Sequence, residues 1–281
     1  MDVGMTLPSG TTPGVFARHA EDVGLESVWT GDHLISVTPR LDSVLVLAQA
    51  AGATTRLRVG FGVLILALRH VVWAAKQIAS LQQLSGDRVL LGVGTGGVVH
   101  GDAAWRAVGV PFAARTARTY AALEVLPGLV EGRTVDVDGT DVALAPGATV
   151  PPILIGGGLP AMRRAAAHGF GWYPAFLPPA DLAAGIREFT ERAGRPVEVT
   201  AQVAMGLGDH GDLDAQVRAL TGYGMSEEYA RSGLLTGGPA QAAEHLDALF
   251  AAGATRVVGL PFGGDWRVQA DLLAEAATVR R

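Results

Sequence analysis

The chain has 281 residues, 49% hydrophobic and 17% charged, with 38 glycines that follow no Gly-X-Y period. Long apolar segments between those glycines exclude collagen-like and disordered chains. A net charge of −5 spread along the sequence disfavours nucleic acid as a partner, and the absence of cysteine excludes disulfide scaffolds, Cys-ligated metals, iron–sulfur clusters and thiol nucleophiles.

Lack of cysteine also accords with a cytoplasmic protein. The opening MDVGMTLPSG has no basic segment followed by an apolar one, so no signal peptide is expected. The apolar run Val63–Leu68 stops at Arg69, far short of the roughly 20 residues that span a bilayer. Lys76 is the single lysine and lies in a helical pattern without a preceding GxxxxGK, which argues against Schiff-base and Walker-type chemistry.

Strand and helix signals alternate along the chain. Val3–Thr6 predicts a strand, and Thr12-Pro13 opens a helix to Val23 with Gly24 as its C-cap. Ser27–Thr30 predicts a second strand, then a helix over Leu41–Ala51 closed by Gly52. A third strand at Leu57–Leu66 and a helix at Trp73–Leu84 follow, then a fourth strand at Arg88–Val93 and a helix at Arg115–Leu129. Thr134–Leu144 alternates around Asp138-Gly139, a hairpin signal that reads as a small insertion after the fourth strand. Strands are then expected at Pro152–Ile155, Gly171–Ala175, Val197–Leu207 and Arg256–Pro261. The helices between and after them are Pro160–His168, Ala180–Ala193, Leu213–Leu220, Pro239–Ala252 and Trp266–Thr278, with a glycine-containing loop before Pro239. Eight strands alternating with helices predict a (β/α)₈ TIM barrel formed by residues 1–281 as one domain. A doubly wound sheet is the alternative.

A barrel carries its active site at the C-terminal strand ends. That rule selects Asp32-His33, Gly62–Leu64, Thr95–Gly97, Gly156–Gly158, Tyr173 and Phe262–Asp265, while Trp29 can point either way. These positions hold glycine and apolar groups and few charges. No HExxH, metal-spaced cluster, GxSxG elbow or carboxylate pair appears, so no metal is expected. A mouth of backbone and apolar surface suits a flat cofactor that brings its own chemistry. His33 can donate to a ring or pass a proton, with Asp32 beside it either sharing that work or capping a loop. His19 and His245 read as solvated helix positions, and His70 and His168 as helix ends, whereas His100 in its glycine-flanked loop stays open. Gly92–Gly97 fits GxGxxG but lacks the immediate helix of a dinucleotide site, leaving a tight turn or a close cofactor approach. Gly156–Gly158 before Pro160 at a helix start is a candidate phosphate site, the alternative being a plain turn. Arg163 and Arg164 are read as solvated.

The segments Gly24–Leu34, Arg58–Val63, Leu84–Gly96, Gly109–Phe112 and Pro152–Gly158, in that order, resemble the bacterial luciferase-like superfamily, especially its coenzyme F420-dependent oxidoreductases. The resemblance implies a TIM barrel, usually a homodimer, that binds a deazaflavin or flavin at its mouth and acts on a small molecule. It implies a third strand that bulges behind the cofactor ring, often through a non-prolyl cis peptide, which maps to Gly62-Val63, with the ring held against Gly62, Val63 and Leu64. It also implies cofactor contacts from His33 and from Thr95, Gly96 and Gly97, and a phosphate-proximal loop at Gly156, Gly157 and Gly158. Gly97 stands where the family's sugar-phosphate dehydrogenases have a proton-donating glutamate, Val37 stands near their tryptophan, and Phe170 replaces a common aspartate. Glucose-6-phosphate chemistry is therefore disfavoured, and His33, His100 or Asp102 becomes the candidate proton carrier. The leading expectation is F420-dependent hydride transfer. Alternatives are an FMN-dependent monooxygenase served by a separate flavin reductase, and a non-catalytic flavin-binding relative.

Overall fold

The computed structural model describes residues 1–36, 38–97, 101–208, 213–222, 224–262 and 264–279. In chain order the elements are β1 (Asp2–Thr6), α1 (Pro13–Asp22), β2 (Ser27–Thr30), α2 (Ser43–Gly52), β3 (Arg58–Leu64), α3 (Val71–Ser85), β4 (Val89–Val93), α4 (Ala103–Ala107) and α5 (Arg115–Glu131). There follow β5 (Val135–Val137), β6 (Thr140–Val142), β7 (Ile153–Gly156), α6 (Leu159–His168), β8 (Gly171–Tyr173), α7 (Pro179–Ala193), β9 (Thr200–Leu207), α8 (Leu213–Thr221), α9 (Glu227–Ser232), β10 (Leu235–Gly237), α10 (Pro239–Ala251), β11 (Arg256–Pro261) and α11 (Trp266–Val279).

Parallel pairing runs β9-β11-β1-β2-β3-β4-β7-β8. The sheet curls until β8 meets β9 again: Trp172 N–H donates to Glu198 O at 2.9 Å and Gln202 N–H to Pro174 O at 2.9 Å. This curled parallel sheet is consistent with the expected barrel. Strands covered on both faces must be apolar throughout, and β2, β4 and β9 are buried at every position. Inside the ring, Trp29, Leu90, Leu154, Tyr173 and Val258 form a plug, so Trp29 points inward. The larger core lies between the sheet and its helices.

The N-terminal strand ends are tied by Arg256. Its guanidinium, 3% exposed, meets Glu26 at 2.9 Å, Asp2 at 3.1 Å and Glu198 at 3.2 Å. Burial alone would lower its pKa, but the three carboxylates raise it overall. A second tie lies on the same side: Glu21, on α1, accepts from the N–H groups of Thr55 (3.0 Å), Arg56 (2.6 Å) and Leu57 (2.9 Å), which fixes the turn into β3.

β5 and β6 pair antiparallel across Asp138 and Gly139, both at positive φ (52° and 81°) as a tight hairpin requires. Three expectations are corrected. The C-caps of α1 and α2 are Val23 and Ala53 rather than Gly24 and Gly52. Gly52 is itself the last residue of α2, and Gly24, just beyond the α1 cap, takes the left-handed turn with φ 91°. The stretch before Pro239 is no mere loop, because it holds α9 and β10. Three residues carry no readable period, and β10 exists because Leu235–Gly237 pairs with the free upper edge of β9 at Met205–Leu207.

Candidate active site

A cavity of about 620 Å³ opens at the C-terminal strand ends, within the size range of small-molecule sites. Its floor is built by β3. Register with β4 shifts between Phe61 and Leu64, and the Gly62-Val63 peptide is cis. The Val63 methyls lodge among three glycines of neighbouring strands. A Cβ on Gly92 would lie 3.2 Å from Val63 Cγ1, one on Gly156 2.8 Å from it, and one on Gly94 would collide with Cγ2. These glycines therefore make room for the bulge. Gly97 and Gly158, by contrast, have nothing within 4 Å of an added Cβ and border open space.

Asp32 lies at the wall and is buried. Its Oδ1 accepts from Ser43 Oγ at 3.0 Å and from Arg69 Nη2 at 2.8 Å; its Oδ2 accepts from Ile65 N–H at 3.0 Å and from Arg69 Nη1. Burial depresses the Arg69 pKa, but the Asp32 carboxylate more than offsets this and raises it overall. Asp32 thus clamps the loop after β2 to the segment after β3. That clamp sets the place of its chain neighbour His33, which is half-buried and lines the cavity.

Thr95, Gly96 and Gly97 form the wall beyond β4. Gly96 needs its φ of 73°, and an added Cβ there would come 2.7 Å from Trp105 of α4. Across the mouth, Gly157 N–H donates to Tyr173 O at 3.2 Å, and Gly157 O accepts from Trp172 Nε1 at 2.7 Å. Helix α6 begins at Leu159, so Pro160 is its second residue and the amides ahead of it are those of Gly158 and Leu159. The remaining wall is Tyr173, Ala175, Phe176, Gln202 and Met225.

Several expected residues lie elsewhere. Leu64 is 1% exposed within the main core, because the bulge turns it outward, and Ile65 reaches the wall instead. Asp102 is half-exposed, pairs with Arg106 and is not part of the wall. Phe262 packs against Phe176 at 6.4 Å, and Asp265 caps α11, accepting from Arg267 N–H at 2.8 Å. Arg163 binds Glu188 at 2.9 Å, and Arg164 lies over the Tyr120 ring. His70 caps α3 and His168 ends α6 as expected. His19 meets Asp271 at 2.7 Å, while His245 is half-buried and burial lowers its pKa, so neither is simply solvated. His100 and Val37 lie outside the described residues. Reading the sequence alone misses Gln202, Phe176 and the Arg69 clamp. Gln202, a polar residue within the apolar run of β9, is the one with a legible signal. No group of three potential metal-ligating side chains occurs among the described residues, and none of the described helices is long and apolar enough to cross a membrane.

The curled parallel sheet, its bulged third strand and its backbone-lined mouth define an α/β fold with a candidate small-molecule site. The luciferase-like monooxygenase family model matches residues 14–225, and the chain belongs to that family. It is 35% identical over 172 residues to an uncharacterized protein of Mycobacterium tuberculosis, covering 57% of this chain and 59% of that one. It is 32% identical over 172 residues to an F420-dependent glucose-6-phosphate dehydrogenase of Kineococcus radiotolerans, covering 56% and 50%. These matches thus span little more than half the length of the curated relatives. Among solved structures, an F420-dependent secondary alcohol dehydrogenase in complex with an F420–acetone adduct superposes with a TM-score of 0.83 at 17% identity, covering 100% of this chain and 99% of that one. Structures of this fold include both F420 and FMN complexes, and the chain is a member of an oxidoreductase and monooxygenase family.

Proposed function

We propose that this protein is an F420-dependent oxidoreductase that transfers a hydride between the deazaflavin and a small organic substrate. The observation that carries the reading is the floor. Val63 sinks between Gly92, Gly94 and Gly156, leaving Gly62 and Val63 as a floor without bulky side chains below a cavity large enough for a flat tricyclic ring and a substrate. When bound, the deazaflavin supplies or accepts the hydride at its C5. The protein's part is to hold and to manage protons. The amides of Gly158 and Leu159, free of intrahelical acceptors at the start of α6, would take a phosphate. Thr95 and Gly96 would border the ring edge. His33, kept in place through the Asp32–Arg69 clamp, would hydrogen-bond ring or substrate and exchange the proton. The match to an F420-dependent dehydrogenase at 32% identity favours F420 over FMN; the family description as monooxygenases favours the flavin reading, which would need a separate reductase.

Fluorescence titration separates the two. Quenching of F420 at micromolar protein supports the proposal. Absence of binding at tens of micromolar, with yellow FMN released on denaturation, would replace it with the flavin reading.

We further infer a cytoplasmic homodimer of single-domain chains. Residues 43–86 contain no Asp or Glu, and the outer face of this stretch exposes Leu45, Trp73 and Leu84, each about 70% accessible, next to Leu41. An apolar face of this kind, free of acidic groups, suits a second copy of itself.

A further inference from the structure

We propose that the substrate is an uncharged, mostly apolar molecule whose carbonyl or hydroxyl oxygen is received by Tyr173 Oη and the Gln202 amide. The proposal rests on reading the cavity as a joint cofactor and substrate site, and it names the substrate class that the site admits.

The first observation is the charge inventory. Among the described residues of the wall the one charged side chain is Asp32, and its carboxylate is already occupied by Arg69, Ser43 and the Ile65 amide. None of those wall residues is a lysine or arginine. Among the described wall residues a charged substrate group would find no counter-ion, and burying it unpaired is costly.

The second observation is an unsatisfied donor. Tyr173 is 3% exposed and lines the cavity, and its Oη is buried without a hydrogen-bond partner. Buried phenols ordinarily find one. Burial also raises its pKa, so the group stays protonated and can only present O–H as a strong donor or accept weakly. Gln202 lies close by. Tyr173 and Ala175 share one face of the chain, two residues apart, and Ala175 pairs with Gln202 on β9, a strand spacing of about 4.8 Å. The Gln202 Nε2 reaches Thr6 Oγ1 at only 3.4 Å, the far limit of a hydrogen bond. Ala175, Phe176 and Met225 supply the apolar surround. A phenol O–H and a primary amide recognise a neutral oxygen, and the surround selects for hydrocarbon around it.

The test uses full-length protein carrying ¹³C at tyrosine Cζ, with Tyr173→Phe to assign the signal. Cyclohexanone, acetophenone and 2-decanone serve as neutral probes, and glucose 6-phosphate as the charged one, each with and without F420. The expected result is that at least one neutral probe moves the Tyr173 resonance and glucose 6-phosphate does not. Tyr173→Phe and Gln202→Leu each weaken binding of that probe about tenfold, the size of one hydrogen bond, while F420 affinity stays within about twofold. Tighter binding of glucose 6-phosphate than of every neutral probe overturns the proposal. So does absence of binding by all three neutral probes at millimolar concentration, or binding that neither the resonance nor the variants register. If F420 fails to bind while a neutral probe still moves the Tyr173 signal, the cofactor reading falls and the substrate class stands.

Discussion

Asp32 offers the sharpest separation of scaffold from chemistry. Four donors converge on its carboxylate: Ser43 Oγ, the Ile65 amide and both terminal nitrogens of Arg69. The side chains of the pair are 5% and 19% exposed. Removing one partner of a buried pair leaves an uncompensated charge, at about 3–5 kcal/mol. Arg69 keeps some water contact, and Asp42 stands 3.7 Å away as a substitute anion, so Asp32→Ala should cost about 2–4 kcal/mol. Asp32→Asn keeps one acceptor oxygen, which serves Ser43 or the Ile65 amide but not both, and should cost about 1–3 kcal/mol. Either value is a large part of a total stability of about 5–15 kcal/mol. Urea unfolding of wild type and both variants measures it. Activity should fall in step with the loosening of the His33 loop. An unchanged unfolding midpoint in Asp32→Asn, together with a loss of turnover above about a hundredfold, would place Asp32 in the chemistry and refute the clamp argument.

Other outcomes follow from the same coordinates. An alanine Cβ at Gly62 would stand 2.5 Å from Tyr173 Oη; Gly62→Ala should destabilise by about 1–3 kcal/mol, and Tyr173→Phe should recover about 1 kcal/mol of it in a double-mutant cycle, strict additivity being the contrary result. A Cβ added at Gly97 meets no atom within 4 Å, so the unfolding midpoint of Gly97→Glu should match wild type within about 0.5 kcal/mol. Backbone donors hold the Glu21 pKa below 4.5 against the opposing effect of burial. Its contribution to stability is therefore complete above pH 4.5 and lost as the pH falls through the lower folded value. Glu21→Gln should flatten that acid limb in thermal unfolding at pH 3 to 6. Trp73→Ser should shift sedimentation from dimer to monomer without changing F420 affinity; a wild-type monomer would remove the dimer inference.

Much of the frame is a local property of the chain. Short β-branched apolar runs such as Val89–Val93 suit strands covered on both faces, and Pro13, Pro160 and Pro239 each stand in the first turn of a helix. Asp138-Gly139 likewise fixes its hairpin, since both residues tolerate positive φ. From such signals the sequence determined the alternating order of elements, the strand ends that form the mouth, and the place of His33 and the glycine wall.

Tertiary structure decided what those residues do. A sequence can reveal that Gly92, Gly94 and Gly156 are glycines. Only the assembled sheet shows that they yield space to Val63 and so shape the floor, with Gly94 and Gly156 also lining the cavity. Asp32 and Asp102 look alike as acids at strand ends. One meets Arg69, 37 positions further along the chain, and is buried; the other pairs with Arg106 one turn away and is half-exposed. Ala175 and Gln202 pair because β8 and β9 close the ring, a contact between segments nearly thirty residues apart that brings Tyr173 and Gln202 to the wall of one cavity. No local propensity encodes such long-range contacts, because they depend on which strands become neighbours when the sheet curls.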